Sequence, residues 1–300
     1  MSLELRGEVQ LPGHTGPGGF DHGDVHAASG RVFIAHTANG TVEVVDGDGL
    51  EHLATIDGCA EASGVLCPPS TNLVIAAARG SGSVLFIDPE TCAVTGTVEV
   101  GGRPNGLAWD ARRRRVLVAN VAGNSVSLVD RIGGRIVATG SLPGRPRWAV
   151  HDSERDHFLV NIREPSMVAV LSSETAAVIE SWPASSAGPH GLDLDIGRGR
   201  AFVACDAGQL ICLDLNDGSE VARVEIAGEP DAIWFNADAA QVYVAIGRPG
   251  VIQVVETDMM TIRQTIEIEE GAKTTALDAA RRALYAFKPL ACSLAAFRIG

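Results

Sequence analysis

The chain has 300 residues, 46% of them hydrophobic, with a formal net charge of −13 and a pI near 5.0. That acidity excludes nucleic acid as a partner, because such binding rests on Lys and Arg neutralising phosphates. No stretch reaches the roughly 18 uninterrupted apolar residues of a membrane-spanning helix, so no membrane partner is expected.

The first segment, Leu3 to Leu11, alternates apolar and polar residues in the manner of an outer β-strand. The opening residues, Met-Ser-Leu-Glu-Leu-Arg, lack the apolar core of a secretory signal. Cys59, Cys67, Cys92, Cys205, Cys212 and Cys292 form no CxxC pair, which fits reduced thiols in a reducing compartment. The expected location is the cytoplasm. His14 to Gly19 is a Gly/Pro loop leading into the first repeat.

Val32 to Asp46 then sets a pattern: a β-branched run, a turn, and a second alternating run that closes on an acidic residue. The pattern recurs at Leu73 to Asp88, Val116 to Asp130, Phe202 to Asp214 and Val242 to Glu256. Its clearest copy, Val116 to Asp130, turns at Gly-Asn and predicts a hairpin. The closing positions Asp46, Asp88, Asp130, Ser172, Asp214, Glu256 and Arg298 are spaced by 42 residues. In the third unit the expected strands are Gly106–Asp110, Arg115–Asn120, Ser125–Asp130 and Arg135–Gly140. Four strands per unit at a period of about 40 is the pattern of a propeller blade. The expected fold is all-β, a seven-bladed β-propeller in one domain spanning residues 1–300.

The last unit holds only Thr274–Ala279, Ala283–Lys288 and Ser293–Ile299, so the N-terminal strand should complete it. Pairing the two ends in one blade removes open sheet edges. The basic run Arg112 to Arg115 falls in the turn between the first two strands, as do Gly197 to Arg200 and Ala280 to Arg282. That shared place predicts a solvated turn.

Just before each innermost strand comes a proline-led step such as Gly-Arg-Pro104-Asn105 or Gly-Glu-Pro230-Asp231. The proline stiffens the entry and presents the next side chain at the same place in every blade. The repeat then aligns Asp21, Ser63, Asn105, Arg147, His190, Asp231 and Lys273. Fifteen residues later, at the end of the second strand, stand His36, Ala78, Asn120, Ile162, Cys205, Ile246 and Lys288. Antiparallel pairing should return this second set to the same edge, so both rings are expected to meet at one mouth of the central channel. The mouth positions carry unlike polar residues where the hairpin positions repeat apolar ones, which points to a binding site. Mutual neutralisation of these charges around a water-filled plug is the alternative.

Val116 to Asp130, with Val118-Ala-Asn120 in the signature place, resembles the YVTN-type β-propeller repeat; Val32 to His36 and Val242 to Ile246 are degenerate copies. The chain is thus similar to the YncE-like propellers and, more distantly, to gluconolactonase-like ones. The signature Asn survives in one blade only. Gluconolactonase-like propellers hold a divalent cation at the mouth, which would put Ca²⁺ or Mg²⁺ on the oxygen donors Asp21, Asn105 and Asp231. Arg147 and Lys273 in the same ring oppose a cation, so the expectation is no metal and no other cofactor.

A small anionic metabolite suits the charges better. Arg147, Lys273 and Lys288 would hold its carboxylate or phosphate, with Asn105, His36 and Asn120 completing the contacts. His190, Asp231 and Asp21 are the candidate catalytic groups, His190 as acid or base beside a carboxylate. His22 and His26 should not chelate, because four residues along a strand span about 13 Å. Cys205 beside His190 is either a nucleophile or a small core filler. The tryptophans are expected in the core, except Trp148 beside Arg147. Two functions stay open: an enzyme using acid–base chemistry (lactone hydrolase, lyase or isomerase), and a non-catalytic ligand- or protein-binding scaffold.

Overall fold

The computed structural model describes residues 2–300. Its strands form seven four-stranded antiparallel sheets, with a single 3-10 turn at Ile196–Arg198. Six blades are continuous in sequence, and the innermost strands of all seven are Gly23–His26, Ala62–Leu66, Pro104–Asp110, Pro146–Asp152, Pro189–Asp195, Glu229–Asn236 and Thr275–Asp278. We number the blades 1 to 7 in that order. Each innermost strand touches that of the next blade, and blade 7 touches blade 1, so the ring is closed. The chain is a seven-bladed β-propeller.

Composition explains the layering. The second and third strands of a blade are covered on both faces, so Arg115–Asn120 and Ser125–Asp130 are nearly continuous Val, Leu, Ala and Ser, almost all buried. The outer strand Arg135–Ser141 has one wet face and alternates exposed with part-buried residues. Apolar side chains gather in seven clusters, each shared by two neighbouring blades. Blade-to-blade packing is therefore where the hydrophobic stabilisation lies.

Blade 7 is completed by Leu3–Gln10, which runs antiparallel to Ser293–Ile299 from Leu3 opposite Ile299 to Gln10 opposite Ser293. Leu3, Val9 and Leu11 are buried. Gln264 of blade 6 clamps the strand's start, accepting from Leu3 N at 2.8 Å and donating to Leu3 O at 3.1 Å. Among the described residues no helix is long and apolar enough to cross a membrane.

The basic turn is more than a solvated one. Arg113 reaches Asp110 of its own blade at 2.9 Å and Asp156 of blade 4 at 2.6 Å. Arg155, Arg198 and Arg281 repeat the reach, each pairing with an Asp three residues earlier and with Asn216, Asp258 or Asp48 of the following blade.

At the other end of the innermost strands the pairing register shifts, between Pro104 and Leu107, Pro146 and Ala149, Pro189 and Leu192, and Pro230 and Ile233. Such bulges lift two residues out of the ladder and re-aim their side chains. The residue after the mouth position is glycine in blades 2, 3 and 5 (Gly64, Gly106 and Gly191) because neighbouring backbones touch there. A Cβ on Gly106 would overlap Arg147 O, and one on Gly191 would overlap Asp231 O.

Candidate functional site

Asn105, Arg147, His190 and Asp231 fall on these bulges, Asp21 and Lys273 just ahead of the innermost strands of blades 1 and 7, and all of them but Arg147 are joined in two groups. In the first, Arg79 donates to Asp21 Oδ2 at 2.8 Å and to Asn105 Oδ1 at 3.0 Å. In the second, His190 stands between two carboxylates: Nδ1 is 2.8 Å from Asp206 Oδ1 and Nε2 is 3.2 Å from Asp231 Oδ1. Lys273 Nζ closes on the other oxygen of Asp231 at 2.9 Å, and Arg163 Nε on Asp206 at 2.6 Å. Buried Asn161 holds the backbone below, donating to His190 O at 3.0 Å and Gly191 O at 2.9 Å.

Burial opposes a charged His190, but the Asp231 charge and the hydrogen bond to Asp206 outweigh it, and its pKa is raised. Burial likewise opposes ionised Asp231; His190 and Lys273 prevail and hold its carboxyl well below the usual range. Asp231 raises Lys273 in turn, ahead of the opposing effect of burial. The site is thus a row of alternating fixed charges. With both ring nitrogens engaged, His190 is a proton donor and holder. Neither it nor the strongly acidic Asp231 is arranged as a base.

Arg147 is the exception. Burial, then Arg145, lowers its pKa; its Nε is buried without a hydrogen-bond partner, and among the described residues no carboxylate forms an ion pair with it. It opens on a cavity of about 630 Å³, whose wall also holds Arg163, His190, Asp206 and Lys273. Small-molecule sites fall in the range of about 300–1,000 Å³. Arg248 and Glu270 pair with each other on its exposed rim at 3.3 Å, and Glu229 is also exposed there.

The second expected ring does not join this mouth, and here the structure corrects the sequence reading. His36 is buried in blade 1, with Nδ1 on Glu43 at 2.9 Å and Nε2 on His14 at 2.8 Å. Asn120 is buried and donates to Ser127 Oγ at 3.0 Å. Lys288 pairs with Glu8 of the closing strand at 2.8 Å and takes no part in the cavity wall. Ile162, Cys205 and Ile246 at the same place are core residues. The reason is strand parity: side chains alternate faces, so the last residue of the second strand points between blades and its successor points to the mouth. The members that reach the mouth are therefore Arg79, Arg163 and Asp206, each one residue past Ala78, Ile162 and Cys205. Their repeat spacing, 84 residues from Arg79 to Arg163 and 43 from Arg163 to Asp206, was the signal that could have found them.

The oxygen donors do not fit a divalent cation. Asp21 and Asn105 accept from Arg79, and Asp231 is ion-paired with His190 and Lys273. Another His/Asp group, Asp110, His151 and Asp156, already holds the Arg113 guanidinium between its two carboxylates. Cys205 is buried and its thiol pushed up to about 12, as a core filler's would be. His22 and His26 are apart in function: His22 stacks on Trp148, with ring centroids 4.2 Å apart, while His26 contacts Ser29 and Thr71 O. Trp182 is core, but Trp109, Trp148 and Trp234 line the channel.

No protein-family model matches the chain, and no curated protein matches it. Solved structures do. A chain in the crystal structure of the mitotic checkpoint complex superposes with a TM-score of 0.84 at 13% identity, over 99% of this chain and 92% of that one. The likeness is one of fold alone.

Proposed function

We propose that this chain is a propeller of the YVTN type whose axial mouth binds a small anion of the carboxylate or phosphate class. The observation that carries the reading is Arg147: a half-buried guanidinium drawn on by the charges of Asp231 and Asp206 but with no ion-pair partner of its own among the described residues, facing a cavity whose other buried charges are already paired. An anion would receive its planar fork. His190 and Lys273 add positive potential, and the backbone contacts at Gly106 and Gly191 hold the ring rigid, so little ordering opposes binding.

The test is thermal stabilisation and calorimetry across monocarboxylates, dicarboxylates, phosphate and sugar lactones. A selective anion should lose about tenfold to a hundredfold in affinity in Arg147→Ala, the value of charge-assisted hydrogen bonds, and only part of that in Arg147→Lys. If no anion stabilises the wild type, or if Arg147→Ala binds as tightly, the reading fails.

A second reading rests on His190, whose two carboxylates favour its protonated form: an enzyme of the lactone hydrolase, lyase or isomerase type, with His190 as general acid once a ligand displaces Asp231 from Nε2. Turnover of a bound anion that disappears in His190→Gln, with binding retained, would favour it over simple binding.

A further inference from the structure

We propose that the channel contains a second site, deeper than the anion mouth, that takes a small organic cation of the tertiary or quaternary ammonium class. A separate cavity of about 260 Å³ lies further along the innermost strands, walled by Trp109, Trp148, Trp234 and Asp193. Its roof is the stacked pair His22 and Trp148, the residues that directly follow mouth positions Asp21 and Arg147. Trp148 and Trp234 meet edge to face, with ring centroids 6.2 Å apart at 87°, so indole surfaces enclose the space from more than one direction. The indole N–H of Trp109 is buried without an acceptor.

The charge complement is anionic. Asp193 accepts from Leu194 N and, in the next blade, from Phe235 N, at 2.8 and 2.7 Å. Asp24 does the same from Val25 N and Cys67 N, both at 2.7 Å. Neither meets a cationic side chain among the described residues. Burial pushes Asp24 up to about 7, with Asp193 adding to the rise, and Asp193 to about 6. The other titratable groups nearby do not supply a cation. Burial lowers His22 against the pull of Asp21 and Asp231, and lowers His151 against that of Asp110, Asp156 and Asp152. Arg113 is committed to Asp110 and Asp156. Arg114 and Arg131 belong to the adjoining surface pocket, Arg131 over the Phe86 ring.

An inorganic ion would find few oxygen ligands here. A weakly hydrated ammonium would find aromatic faces, which attract cations through the ring quadrupole, and the Asp193 carboxylate in the wall, with Asp24 behind it close enough to interact with Asp193 electrostatically. Its arrival should therefore expel a proton, because a nearby positive charge lowers a carboxyl pKa.

The experiment is a titration of the full chain with tetramethylammonium chloride, followed by indole fluorescence and by calorimetry in buffers of different ionisation enthalpy. Sodium chloride and neopentyl alcohol, the neutral molecule of similar shape, serve as controls. The expected result is saturable binding with a Kd of about 1 mM and release of up to about one proton near pH 6.5, fading above about pH 8.5 where both carboxyls are already ionised. Asp193→Asn should weaken binding about tenfold and reduce the proton release. The proposal is overturned if neopentyl alcohol binds as well as the cation, if binding releases no proton near pH 6.5, or if nothing saturates. The wild-type proton count decides the matter even if Asp193→Asn does not fold.

Discussion

Replacing Gly191 by alanine tests whether the mouth is held open by backbone contact. The added Cβ would overlap Asp231 O and stand 3.1 and 3.3 Å from Ile233 Cγ2 and Cγ1. The first obstacle is main chain in an adjoining strand and cannot rotate away, so blade 6 must shift against blade 5. Overpacking of this kind costs about 1–3 kcal/mol, which for a chain of this size is a fall in Tm of roughly 2–8 °C. The shift also carries Asp231 away from His190 and Lys273, now 3.2 and 2.9 Å distant. Gly197→Ala is the control: its nearest atom, Asp195 Oδ1, is 3.7 Å away, an ordinary contact. Scanning calorimetry with an NMR titration of the His190 ring measures both effects. If the two variants melt together and His190 titrates unchanged, backbone contact does not set the mouth.

Deleting residues 2–11 removes three buried apolar side chains and the partner of Ser293–Ile299; burial at about 1.5–3 kcal/mol per side chain makes the loss comparable with total domain stability. The truncated chain should melt far lower and aggregate in size-exclusion chromatography, and one that melts like full length would refute strand-mediated closure. Glu43 is opposed by its own burial, but hydrogen bonds from His36, Thr55, Thr41 and His52 bring it from 4.5 to about 2. A depressed carboxyl stabilises above its unfolded pKa and loses that contribution as pH falls through the folded one, so the gap in Tm between wild type and Glu43→Gln should close between about pH 4.5 and 2; a constant gap across acid melts would count against it. His190 has the opposite sign: its raised pKa contributes stability below about 6.5 that is lost as pH rises through the folded value. In Asp206→Asn, melting curves should show that alkaline loss ending at lower pH and smaller in size, and an unmoved end point would mean Asp206 does not hold the proton.

The architecture was readable because it is periodic. The polar residue that closes each hairpin, acidic in five of the seven blades, recurs at one interval, and every blade must satisfy the same backbone geometry. The first mouth ring was readable for a related reason: the proline step marks it at Asn105, Arg147, His190 and Asp231. The second ring was missed by a single residue. Nothing in a local pattern says on which side of the pleat a strand's last residue falls, and polar Asn120 and His36 look like site residues until Ser127 and Glu43 are seen beside them. Trp182 lies in the core and Trp148 lines the cavity, as the sequence separated them; Trp109 and Trp234 pack against core clusters as expected but also wall the channel, because an indole can cover a core with one side and face a cavity with the other.

Joining the two ends of the chain in one blade has a cost in time. Leu3–Gln10 emerges from the ribosome roughly 290 residues ahead of Ser293–Ile299, on the order of 15–60 s at usual elongation rates. Throughout that interval Leu3–Gln10 has no mate, and the growing arc of blades carries an uncovered flank. Such a protein depends on keeping that strand unattached, because any other strand that captured it prematurely would leave the circle one rung short.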